Sequence, residues 1–224
     1  MVVSLIHFFL RLFGERHRDD AASPFVFIAT CGLLLLLAGC QHNETEGTTE
    51  EKAYDQLQLN GRWNEIVKKN EEKPAQSLAC KKVVALALLR VQGSAANAQK
   101  LMSYCLEDSR DVLTSQTAAL MMSDVYIQLG MVAMAQRAAF DAMVKTDNPK
   151  NCERPLRRLT EAALVMGNND LVLKYASLLE DFSSSRKWAR QMAQMARHPE
   201  LIGEQSAYGK LKKQYEKTDD GFFL

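Results

Sequence analysis

Apolar residues recur along this chain at helical spacing, and glycine punctuates the runs. From Leu113 to Leu129 the positions Leu113, Thr117, Leu120, Met121, Val125 and Leu129 fall at helical spacing, which puts side chains on one helix face. From Val83 to Val91 leucine, valine and alanine surround the axis so fully that the helix must be covered on most sides. Pro155 suits the first turn of a helix running to about Met166, where Gly167 supplies the stop. Ser183 to Ser185 offer N-caps for a helix from Arg186 to Arg197, ended by Pro199. Alternating β-branched runs are missing, so the pattern predicts almost no sheet.

The punctuation is nearly periodic. Gly61, Gly93, Gly130 and Gly167 are separated by 32, 37 and 37 residues, close to the roughly 34-residue period of tetratricopeptide repeats, each a helix-turn-helix unit. Each glycine is expected at a turn. Alanine follows five residues after Gly93 and Gly130, at Ala98 and Ala135, and a small side chain there lets two helices approach closely. The unit around Gly130 resembles a tetratricopeptide repeat best, with Tyr126 before the turn, Ala135 and Ala142 after it and Pro149 as the stop. After Gly167 the corresponding position is Val172. The expected fold is therefore all-α, built of tetratricopeptide-like helical hairpin repeats stacked as an α-solenoid.

The N-terminal region carries a different signal. An apolar run from Phe25 to Ala38 closes on Leu37-Ala38-Gly39-Cys40, which resembles a bacterial lipobox. That resemblance implies cleavage before Cys40, a diacylglyceryl group on its thiol and a location in the bacterial cell envelope. A transmembrane helix is the alternative, but it needs about 20 consecutive apolar residues and the polar run Gln41-His42-Asn43-Glu44 follows at once. The leader is unusual, because Met1 to Phe13 is itself largely apolar and Gly14 to Asp20 mixes both charge signs, where a signal n-region is normally short and positive. A misplaced start codon is one explanation.

These signals divide the chain into a signal peptide over 1–39, a flexible acidic tether over 40–52 and a helical repeat domain over 53–224. The tether contains Glu44, Glu46, Glu50 and Glu51 and no large apolar side chain, so it is expected to act as a spacer. Its acidic residues are similar to surface-export signals of Bacteroidota lipoproteins. The net charge of +1 gives no reason to expect nucleic acid as a partner. Cys80, Cys105 and Cys152 allow at most one internal disulfide and show no metal spacing.

From Gly130 to Ala189 the chain resembles the helical C-terminal region of an uncharacterised Bacteroidota family known only as a domain of unknown function. The matching words are Gly130 with Ala135-Gln136-Arg137, Phe140-Asp141-Ala142-Met143, Arg158-Leu159-Thr160-Glu161, Lys174-Tyr175-Ala176, Leu179-Glu180 and Arg186-Lys187-Trp188-Ala189, with Gly61-Arg62-Trp63 as a fainter one. Members typically carry a multi-spanning membrane region ahead of this part and continue beyond it, so the resemblance implies a truncated relative with a lipid anchor in place of the spans. It transfers no catalytic residue.

Catalytic constellations are poor. His42 and His198 are the only histidines after Cys40, with no zinc spacing, phosphate loop or nucleophile elbow. Glu180 and Asp181 are adjacent carboxylates, which on a helix point different ways. Met131 with Met134, and Met192 with Met195, have a spacing that suits Cu(I), although methionine is also the ordinary filler of helical cores. Arg154, Arg157, Arg158, Lys174, Arg186, Lys187, Arg190 and Arg197 offer a basic face for an acidic partner or anionic headgroups, or simply a solvated one. The expectation is a protein with no enzymatic activity and no cofactor, tethered to the membrane through Cys40 and binding a protein partner. The alternatives are an accessory subunit of an envelope membrane system and a lipid-anchored envelope enzyme.

Overall fold

The first described helix begins at a reciprocal cap. Ahead of α1 (Thr49–Leu59), the Thr48 hydroxyl accepts the Glu51 N–H at 3.1 Å while the Glu51 carboxylate accepts the Thr48 N–H at 3.0 Å, which satisfies two orphan donors at once. The computed structural model describes residues 46–97, 99, 103, 113–146, 148–203 and 206–217. The leader, Leu37-Ala38-Gly39-Cys40, Gln41 to Thr45, Ala98, Cys105 and Phe222-Phe223-Leu224 lie outside the described residues.

The cap corrects the expected tether boundary. Residues 46–52 belong to the folded part: Glu51 is buried and also accepts the Ser115 hydroxyl at 2.9 Å, and the Thr117 hydroxyl donates to the Glu46 carbonyl. Glu50 accepts the backbone N–H groups of Gln76 and Ser77 at 3.0 and 3.1 Å. These acids are folded in because backbone donors at helix starts want carboxylates.

Next come α2 (Trp63–Glu72), α3 (Leu78–Gln92), α4 (Gln116–Gln128) and α5 (Val132–Val144). A 3₁₀ turn at Pro149–Cys152 then leads into α6 (Glu153–Val165), α7 (Asn169–Leu179) and α8 (Arg186–Arg197). After a second 3₁₀ turn at Pro199–Leu201 the chain forms α9 (Ala207–Lys217). No strand occurs among the described residues, and the architecture is helix packed on helix.

Three hairpins share one turn. In α1/α2, α4/α5 and α6/α7 the first helix ends two residues before a glycine and the second starts two residues after it. Gly61, Gly130 and Gly167 have φ of 64°, 77° and 76°, a left-handed conformation that side chains resist. In each case the glycine N–H donates to the carbonyl three residues back and the next N–H to the carbonyl five back, as in Arg62 to Leu57, Met131 to Tyr126 and Asn168 to Ala163, each at 2.9 Å. This double bond pattern is a Schellman closure. Gly93 differs, because it caps α3 itself and donates to Leu89. Five residues beyond the three hairpin glycines lie Ile66, Ala135 and Val172, all with no exposed surface.

Packing places α4 at the centre. It contacts α1, α3, α5 and α6, and it is buried nearly all round from Ala118 to Ile127. The main core gathers Tyr54, Ile66, Val83, Leu86, Met121, Met122, Val125 and Tyr126, each large side chain worth roughly 1.5 to 3 kcal/mol when withdrawn from water. Thr117 and Leu120, expected on the buried stripe of α4, are only half-buried. Cover over α3 also stops short, since Val91 is exposed. Smaller clusters join α6, α7 and α8 through Leu156, Leu164, Leu179 and Met192. Met131 and Met134 pack on the main core and Met192 and Met195 on the last cluster, which is the gap-filling role of methionine. No helix among the described residues is long and apolar enough to cross a membrane.

Candidate functional site

Arg154 and Arg158 stand one turn apart on α6 and therefore share a face. Arg154 forks onto Asp55 of α1, with Nη1 to Oδ2 and Nη2 to Oδ1 both at 2.8 Å, and Nη2 also reaches Asp124 of α4 at 2.5 Å. Arg158 joins Asp124 to Glu161, whose other oxygen accepts the Tyr208 hydroxyl of α9 at 3.2 Å. One chain of charge thus connects α1, α4, α6 and α9. Bidentate pairing of this kind fixes geometry as well as energy. Burial opposes the charge on Arg154, but Asp55 and Asp124 more than offset it and raise its pKa above the ordinary value.

Above this network opens a cleft of about 690 Å³. Its walls come from the first helices of successive hairpins: Gln58 and Leu59 end α1, Gln116, Thr117, Leu120 and Gln128 line α4, and Arg154, Arg157, Arg158 and Glu161 line α6. Lys52, Lys150 and Asn151 stand at the rim. Behind the wall Gln58 donates to the Met121 carbonyl at 3.2 Å, while its Oε1, Gln116 Nε2, Arg154 Nε and Arg158 Nε are closed off without a hydrogen-bond partner.

At the rim Glu153 accepts the hydroxyls of Ser184 and Ser185, each at 2.5 Å. The two hydrogen bonds hold its pKa below the ordinary 4.5. This corrects the expected N-cap of α8. The helix starts at Arg186 as the sequence implies, but Ser185 makes no cap bond, because its backbone is helical where an N-cap needs an extended one.

The expected basic face is divided. Arg154 and Arg158 turn inward, and Arg157 lies over the Trp188 ring at 4.7 Å. Arg186 donates to the Glu180 carbonyl at 2.9 Å and Arg190 pairs with Glu180 at 3.4 Å. Lys174, Lys187 and Arg197 are exposed. Glu180 and Asp181 end α7 outside the cleft, and His198 pairs only with Glu200. Cys80 and Cys152 are free, with burial pushing the Cys80 thiol up to about 12. Among the described residues no three His, Cys, Asp or Glu side chains cluster to hold a metal.

The residues most important to the geometry of the arginine network, Asp55 and Asp124, carry no local signal. They lie 99 and about 30 residues from the arginines they hold, and only the pairing of hairpins brings them together. The family model for a family of unknown function (DUF6057) matches residues 1–224, a wider span than the Gly130–Ala189 stretch that carries the sequence resemblance. No curated protein and no solved structure matches the chain.

Proposed function

The chain belongs to this family of unknown function, and from that premise we propose that it is a lipid-anchored, tetratricopeptide-like module of the bacterial cell envelope that binds a protein partner in the α1–α4–α6 cleft. The cleft is the observation that carries this reading. A polypeptide offers both N–H donors and C=O acceptors, which suits a cleft lined by Gln128, Lys150, Asn151 and Glu161. The charged groups supply orientation while most of their charge is neutralised inside the protein, so bulk attraction is not the basis of recognition. The repeated hairpin turn supports the solenoid reading, since stacked helix pairs form extended binding surfaces.

The anchor fits the same geometry. Five residues, Gln41 to Thr45, lie between Cys40 and Glu46 at the cleft rim, and an extended chain over those six steps spans at most about 20 Å. A lipid on Cys40 would keep Glu46 within that reach of the lipidated residue. Two measurements test the proposal on the full chain in cells. A fatty-acid probe labels wild type and not Cys40→Ala; equal labelling of both overturns the anchor. A photo-crosslinking residue at Gln128 in the cleft yields a discrete protein adduct, whereas one at Lys174 on the outer side of α7 does not. The same adducts from both positions overturn the cleft.

A further inference from the structure

Helix α9 has eleven residues, fewer than an isolated helix needs to persist in water. Its helicity therefore depends on what it sits against. Tyr208, Leu211 and Tyr215, at i, i+3 and i+7, are half-buried against the main core, while Lys210, Lys213 and Glu216 face outward. Gly209 is buried beside them, and its N–H is capped by the Ser206 hydroxyl at 3.0 Å. Gln214 completes the contact by donating to the Leu129 carbonyl at 3.0 Å. That carbonyl belongs to the end of α4, where helix geometry leaves acceptors unused.

The arrangement is that of an amphipathic helix laid in a groove, with apolar anchors on one side and a solvated face on the other. The helices that form the seat are also tied to each other by contacts that do not involve α9. Asp124 ties α4 to α6 through Arg154 and Arg158, and Glu161 keeps Arg158 when Tyr208 leaves. The seat also shares Glu161 with the cleft, so the two surfaces adjoin.

We propose that α9 is a self-supplied stand-in for a partner helix, and that the α4–α6 seat accepts in trans an amphipathic helix with an aromatic, a leucine and an aromatic residue at i, i+3 and i+7. The inference rests on reading this face as protein-binding, and it adds the partner's chemistry. While α9 is seated, the partner competes with a tethered copy of its own pattern, so binding is held back until α9 lifts.

The test uses the full chain and a fluorescent synthetic peptide covering residues 206–217. Tyr208→Ala with Tyr215→Ala loosens the chain's own α9, and this variant binds the peptide at least ten-fold tighter than wild type in fluorescence polarisation. A peptide with both tyrosines replaced by alanine does not bind. Where the double variant fails to fold, Gln214→Ala gives the same ordering with a smaller gain of two- to three-fold. Equal peptide binding by wild type and variant, with α9 shown by hydrogen exchange to be released, overturns the seat and leaves the cleft crosslinking result standing on its own. Stable exchange between two differently tagged wild-type chains overturns the external partner in favour of a second copy.

Discussion

The turns at Gly130 and Gly167 have the same backbone, the same pair of hydrogen bonds and the same offset from the helices on either side. Their surroundings differ. A side chain at Gly167 meets nothing within 4 Å, while one at Gly130 runs into the Gln214 carboxamide of α9. Gly167 serves its own hairpin only. Gly130 serves its hairpin and also leaves room for the end of the Gln214 side chain, which bonds the Leu129 carbonyl beside it, so identical local chemistry acquires a second role from its tertiary setting.

The link between the two hairpins is where the largest effect is expected. Asp124→Ala strips Arg154 and Arg158 of a shared carboxylate that is 7% exposed. Arg154 keeps Asp55 and Arg158 keeps Glu161, so neither guanidinium is left bare, and the loss of two hydrogen bonds to a charged group is expected to cost about 3 kcal/mol. A chemical melt that shows under 1 kcal/mol would mean that the two hairpins are joined by apolar packing alone.

Within the first hairpin, Ala135→Leu overfills a position with no exposed surface and is expected to cost about 2 kcal/mol. Lys145→Leu, at the end of the same helix and half-buried, should stay within about 0.5 kcal/mol. Equal melting temperatures for the two would show that Ala135 makes no close helix contact.

Smaller again is the contribution of Glu153. Its folded pKa lies below 4.5 because Ser184 and Ser185 donate to it, so the stability it contributes is present above pH 4.5 and is lost as the pH falls through the folded value. Glu153→Gln should flatten the acid limb of stability against pH below 4.5. An unchanged limb would remove the carboxylate from the account.

Much of the fold was legible because its devices are local. Glycine spacing marks the three hairpin turns, and Arg186 and Arg197 bound α8 as the serines and Pro199 imply. Thr48-Thr49-Glu50-Glu51 was equally readable as a capping box, but acid-rich composition pointed to a tether and masked it. The site was not legible. Arg154 and Arg158 look like members of a basic stripe until Asp55 and Asp124 arrive from distant helices, and the Tyr208-Leu211-Tyr215 stripe reveals a helix face without saying which groove receives it.

The most direct test is amide hydrogen exchange on wild type, Gly130→Ala and Gly167→Ala. Both substitutions strain a left-handed turn and should lower global stability by about 1 kcal/mol each. The account predicts that exchange in α9 accelerates selectively in Gly130→Ala, beyond the change in the rest of the protein, while in Gly167→Ala α9 follows the global change alone. Identical α9 exchange in the two variants would contradict the claim that the space at Gly130 supports the Gln214 contact of α9.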